Sequence, residues 1–263
     1  MSERAGERAI VVLPDAEAVA REAVALWSRH ARDAVAARGV FRVLLSGGST
    51  PRRLFQLLAE ADLRDALPWR GTELFWGDER CVPSDHADSN YRMTREALLD
   101  AVGLNADQVH RLEGERAELD AAARDYQAAV ALAFGVAVDG PPPRFDLVLL
   151  GMGADAHTAS LFPGTGALGE TGRWFVANDV PQLATRRLTA TFPLLNAARA
   201  VVFLAAGADK APALARVLAA TGDATAAPAR GIAPRGTLEW VIDRAAAAGI
   251  PADCPYPRRH HAG

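Results

Sequence analysis

FDLVLLGMGADAHTAS, Phe145–Ser160, decides how this chain is read. Phe145–Leu150 is a nearly unbroken apolar run behind the Pro141–Pro143 triplet, the pattern of a strand buried on both faces. Gly151 and Gly153 then open a polar loop that carries Asp155 and His157. In parallel α/β sheets, ligands collect beyond such carboxyl ends. The loop superficially matches the GxGxxA dinucleotide fingerprint. Pro163 and Gly164 interrupt the long helix that fingerprint needs, and no second strand with a terminal acid follows at the right distance. What remains is a histidine with a carboxylate two residues before it. Imidazole takes a proton from water near neutral pH, and a carboxylate can orient it. A structural histidine is the competing reading. Ser160 as a nucleophile would need a GxSxG elbow, which the sequence lacks.

Outward from this stretch, strand-like runs alternate with helical patterns. Arg8–Leu13, Phe41–Leu45, Leu74–Trp76, Trp174–Ala177, Arg187–Thr191 and Ala200–Ala205 read as strands. Asp15 is placed to cap a helix reaching Ala37, and Gly39 to stop it. Further helices are expected from Pro51, over Ser89–Leu99, Ala117–Phe134 and Lys210–Ala219, and over Thr237–Ala247. Such alternation implies an α/β fold with a mostly parallel sheet covered on both faces. The reading is a single domain over residues 1–263, with a small excursion between Asp78 and Pro143. The Pro-rich tail from about residue 251 is expected to be loose, with His260 and His261 solvated.

Three more polar segments follow strands. Ser46-Gly47-Gly48-Ser49-Thr50-Pro51 joins a strand to a helix. Its glycines let backbone approach a ligand, and its hydroxyls and helix-start N–H groups suit an anion. No Gly-Lys-Ser/Thr follows, so it is not a Walker A loop. A tight turn with a capping hydroxyl would use the same residues. Gly77-Asp78-Glu79-Arg80 sets two acids beside a guanidinium, fit either for ligand recognition or for a surface ion pair. Cys81 beside it has no obvious activating base and reads as a bystander. Arg187 and Lys210 sit at strand edges or ends, where each is either a phosphate ligand or a solvated charge.

Composition narrows the function classes. With 29 basic and 32 acidic residues, the formal charge of −3 offers no general attraction to nucleic acid or anionic membrane. Two cysteines do not make a disulfide framework. The start, MSERAGERAIVVLPDAE, lacks a signal-peptide run, and no window is apolar enough for a membrane span, so a cytoplasmic protein is expected. His30, His86 and His110 show no zinc spacing, and no metal is expected.

Taken together, the segments resemble the 6-phosphogluconolactonase family. The resemblance covers nearly the whole chain. It rests on SGGSTP at Ser46–Pro51, WGDERCVPSDHADSNYRM at Trp76–Met93 and LLGMGADAHTASLFPG at Leu149–Gly164, with RLTATFPLLNAA at Arg187–Ala198 and GADK at Gly207–Lys210 in the same order. It implies a three-layer α/β/α sandwich with a Rossmann-like sheet. It also implies hydrolysis of 6-phospho-D-glucono-1,5-lactone in the oxidative pentose phosphate pathway, without a cofactor, by a monomer or small homo-oligomer. On that resemblance His157 is the general base and Asp155 its orienting partner. Asp78 and Arg80 line the same pocket. Ser46, Gly47, Gly48, Ser49, Thr50, Arg187 and Lys210 hold the phosphate. One position departs: the family has Gly-x-Asp-Gly-His, and here the second glycine is Ala156. If that position has positive φ, alanine strains it by roughly 1 kcal/mol.

Two other readings stay open at this stage. Glucosamine-6-phosphate deaminases resemble the chain at the glycine-rich loop but follow their DGH with Phe-Asn-Glu-Pro, where this chain has Ser160-Leu161-Phe162-Pro163. A non-catalytic sugar-phosphate sensor would be expected to carry a DNA-binding segment, and no helix-turn-helix or basic stretch is read here.

Overall fold

The computed structural model describes residues 6–260. In chain order the strands are β1 (Arg8–Leu13), β2 (Phe41–Leu45), β3 (Thr72–Trp76), β4 (Asp78–Arg80), β5 (Val109–His110), β6 (Leu147–Leu150), β7 (Phe175–Val180), β8 (Thr185–Ala190), β9 (Ala200–Ala205), β10 (Thr237–Asp243) and β11 (Arg258–His260). The helices are α1 (Ala16–Arg38), α2 (Ser49–Leu58), α3 (Ala61–Ala66), α4 (Asn90–Thr94), α5 (Asp100–Val102), α6 (Leu119–Phe134), α7 (Phe192–Ala197), α8 (Ala211–Leu218) and α9 (Arg244–Ala247).

Local chemistry sets the early elements as the sequence predicts. Asp15 accepts the Ala18 N–H at 2.9 Å and starts α1, and Gly39 ends it at φ 76°. The loop after β2 bends at Gly48, φ 112°, and α2 begins there. Eight strands form one wholly parallel sheet in the order β11-β1-β10-β9-β6-β2-β3-β5. Helices flank it in the three-layer α/β/α arrangement. α1 packs across β2, β9 and β10 and against α2, while α9 packs on β1, β10 and α8. Parallel strands covered on both faces must be apolar throughout, and β9 is buried at every residue. Trp240 of β10 stacks flat on its cross-strand partner Phe203, centroids 3.8 Å apart.

A second, three-stranded antiparallel sheet, β4-β8-β7, lies beside the first, with α6 packed on β7 and β8. The sequence reading treats Gly77–Arg80 as a polar strand end. Asp78–Arg80 is instead a strand of its own, paired with Arg187–Thr189. A pairing across more than a hundred residues leaves no local pattern.

Two expectations are corrected. Thr237–Ala247 is not one helix: Thr237–Asp243 is β10, between β1 and β9, and only Arg244–Ala247 is helical. The alanines favour a helix, but Trp240, Val241 and Ile242 suit a strand buried on both faces, and short apolar runs do not distinguish the two by period. Asp243 marks the change, accepting the Ala246 N–H at 2.8 Å as the cap of α9. The tail is not loose through residue 260. Arg258–His260 pairs in parallel with Ile10–Val12, and the Ile10 N–H donates to the Pro257 carbonyl at 2.9 Å. Backbone bonds to an open sheet edge need no apolar pattern in the docking strand. His261 and the side chain of His260 lie outside the described residues.

Candidate active site

The sheet order explains why distant loops meet. Strands β9, β6, β2 and β3 are neighbours, and their carboxyl ends carry Ala206–Lys210, Gly151–His157, Ser46–Thr50 and Gly77–Arg80. These four segments enclose a cavity of about 250 Å³. Ser46, Gly47, Gly48, Ser49, Thr50, Asp78, Arg80, His157 and Lys210 all line it. Asp155 stands behind His157, with its Oδ1 at 2.6 Å from Nδ1 and accepting the His157 backbone N–H at 3.1 Å. Burial raises Asp155, but the backbone bond, the imidazole charge and the side-chain bond outweigh it, and the carboxyl sits below its ordinary pKa. A carboxylate only accepts, so Nδ1 carries the proton and neutral His157 keeps its lone pair on Nε2. Phe162 stacks on the imidazole, centroids 4.1 Å apart.

Backbone geometry fixes this pair. A side chain at Gly153 would put a carbon 2.2 Å from His157 Nδ1 and 2.6 Å from Asp155 Oδ1, so only glycine fits. Ala156 is fully buried at φ 70°, the strained conformation expected if alanine replaces glycine there. Hydrogen bonds hold it in place: its N–H donates to the Gly153 carbonyl, and its carbonyl accepts the Ala229 N–H, each at 3.0 Å.

The glycine-rich loop presents donors. At the start of α2 the N–H groups of Ser49 and Thr50 have no place in the helix's own ladder. Ser46 is buried, and its hydroxyl finds no protein partner among the described residues. The Lys210 ammonium lies 3.0 Å from Asp209. Arg80 has no carboxylate partner among the described residues and donates to the Asp88 carbonyl at 2.8 Å. Arg187 pairs with Arg80 across β4 and β8 but does not line the cavity. Its guanidinium donates to Thr185 Oγ1 and the Arg186 carbonyl, and burial and then Arg80 pull its pKa down. Burial pushes the Cys81 thiol up against the pull of Arg187 and Arg186, which fits a bystander.

Three residues have contacts that the sequence reading did not assign to them. Glu79 is buried and accepts the N–H groups of Arg80, Asn90 and Tyr91 at 2.8 Å each and the Ser89 hydroxyl at 3.2 Å. Asn90 donates to the Asp78 carbonyl at 2.9 Å and lies so close to Gly47 that a side chain there would overlap its amide. Ser160 donates to Asp78 Oδ2 at 2.8 Å, and no hydrogen bond joins it to His157 among the described residues. Glu79 follows directly on Asp78, and Asn90 falls inside a quoted motif. Polar residues within such runs were the only available signal. Among the described residues, no cluster of three or more His, Cys, Asp or Glu is arranged to hold a metal, and no helix is long and apolar enough to cross a membrane.

A parallel sheet with a histidine–carboxylate pair and the free N–H groups of a helix start around one cavity defines an α/β protein with a polar ligand site at its strand ends. Residues 14–240 match the family model described as glucosamine-6-phosphate isomerases/6-phosphogluconolactonase, and the chain belongs to that family. It is 41% identical to a 6-phosphogluconolactonase of Nostoc sp. over 93% of this chain and 99% of that protein. It is 45% identical to one of Synechocystis sp. over 81% and 86%. The crystal structure of 6-phosphogluconolactonase from Leishmania guyanensis superposes with a TM-score of 0.80 at 28% identity, covering 93% of this chain and 99% of that one.

Proposed function

We propose that the protein hydrolyses 6-phospho-D-glucono-1,5-lactone to 6-phospho-D-gluconate in the oxidative pentose phosphate pathway. Family membership and the named lactonases support the reaction. The observation that carries the mechanism is the Asp155–His157 pair at the wall of a cavity also lined by Lys210 and the glycine-rich loop. Ser46–Thr50 and Lys210 take the phosphate, and Arg187, set behind Arg80, adds positive potential. The lactone carbonyl then lies near His157. His157 Nε2 removes a proton from water as the water oxygen bonds to C1. The resulting oxyanion is stabilised by Arg80 or by loop N–H groups. The C1–ring oxygen bond breaks, and the ring oxygen takes the proton back from the imidazolium. The new carboxylic acid ionises and releases one proton to solvent.

The deaminase reading is not favoured, since Phe162 rather than an acid faces the imidazole. We read residues 1–263 as one cytoplasmic catalytic domain, monomeric or a small homo-oligomer, with a small-molecule substrate and no nucleic-acid partner. The test is proton release from freshly made lactone, well above the spontaneous rate. His157→Ala removes roughly 100-fold or more of the catalysed rate with an unchanged circular dichroism spectrum. Full activity in that variant would sink the assignment of His157.

A further inference from the structure

Ser160 lies three residues beyond His157, is 2% exposed, and has every polar group engaged. Its N–H donates to Thr189 Oγ1 at 3.1 Å, and its carbonyl accepts from Asn178 Nδ2 at 2.9 Å. Its hydroxyl donates to Asp78 Oδ2 at 2.8 Å. Thr189 is on β8 and Asn178 on β7, so the small sheet grips the Ser160 backbone while β4 receives its hydroxyl.

Asp78 is 5% exposed and lines the cavity, yet no cation pairs with it among the described residues. Its Oδ1 meets only the Asn90 amide, at a long 3.5 Å. A buried carboxylate with one short hydrogen bond and one long one is under-satisfied, so its remaining lone pairs call for a ligand that brings donors. The ring hydroxyls of a sugar lactone are such donors, and a hydroxyl on a carboxylate makes a short, charge-assisted bond.

We propose that Asp78 accepts a hydrogen bond from one ring hydroxyl of the substrate, and that Ser160 is the positioning residue that holds the Asp78 carboxylate for it. Asp78 thereby selects among phosphorylated lactones, and Ser160 acts only through Asp78. The proposal rests on the lactonase reading above.

The experiment compares kcat/KM on the 6-phosphogluconolactone and on the corresponding 2-, 3- and 4-deoxy lactones. Wild-type enzyme loses at least about tenfold on the one lactone that lacks the hydroxyl Asp78 reads. Asp78→Asn and Ser160→Ala each lose roughly tenfold on the complete lactone, yet stay within about twofold of wild type on that deoxy lactone. The double variant falls no further than Asp78→Asn alone. Ser160→Thr, which keeps the hydroxyl, recovers activity on the complete lactone. Equal losses on all four lactones, or additive losses in the double variant, overturn the proposal. Should Ser160→Ala fail to fold, Ser160→Cys keeps a weak donor of similar size and shows the same selective loss in milder form. There too, equal losses on every lactone overturn it. Absence of turnover by wild-type enzyme on the complete lactone sinks the lactonase reading instead, and is seen before any variant is compared.

Discussion

One carboxylate oxygen, Asp155 Oδ1, holds His157 at two points, 2.6 Å from Nδ1 and 3.1 Å from the backbone nitrogen. The residue that donates both bonds is the base of the proposed reaction, so orientation and proton bookkeeping depend on the same atom.

Asp155→Asn therefore lowers kcat, by roughly tenfold to 100-fold, because an amide can present either its oxygen or its NH₂ to Nδ1. A pH signature accompanies it. Asp155 has a folded pKa below its ordinary value. Such a group stabilises the fold above its unfolded pKa, about 3.9, and ceases to as pH falls through the folded one. With 43% of the side chain exposed, solvent screening keeps the effect small. The melting-temperature gap between wild type and variant closes below about pH 4. A gap that stays constant across that range would remove the charge from the account.

Gly153→Ala places its new methyl against the imidazole and the Asp155 oxygen. The ring must turn or the loop must move, and displacements near 1 Å cost about 100-fold in rate. We expect kcat to fall by that order while the far-UV spectrum is unchanged. Retention of wild-type kcat would mean the loop yields without moving the base.

Lys210→Ala removes the cation assigned to phosphate. Loss of binding common to ground and transition states raises KM more than it lowers kcat. An unchanged KM in steady-state kinetics counts against Lys210 as a phosphate ligand.

Ala156→Gly relieves a left-handed alanine whose backbone bonds fix φ in either case. Removing that strain stabilises the protein by up to about 1 kcal/mol, offset in part by the greater freedom of glycine when unfolded. Urea unfolding reads the difference. Destabilisation of the variant by more than about 1 kcal/mol would show that packing of the buried methyl outweighs the strain.

Much of the frame was legible because it follows local rules. β1, β2 and β9 begin and end where their apolar runs do, and Asp15 and Gly39 bound α1 as caps should. β10 was misread because Thr237–Asp243 runs into an alanine series, and only its neighbours β1 and β9 decide for the strand. The site was half legible. His157, Asp78, Arg80, Lys210 and the glycine-rich loop stand at strand ends, which sequence can locate. Ser160 meets Asp78 from 82 residues away in the chain and Asn90 meets it from 12 residues away, and no periodicity encodes either meeting. Arg187 was expected at the phosphate but faces Thr185 and Arg186, since the register of β8 against β4 sets where it points.

The order β9-β6-β2-β3 has a kinetic corollary. Its four loops are adjacent in space but drawn from residues near 46, 78, 157 and 210 of the chain. No short segment holds even half of the cavity, so catalysis cannot precede long-range strand pairing, the slow kind of contact. Regain of lactone turnover during refolding would thus report the closing of the central sheet, whereas helix signals such as α1 would return earlier.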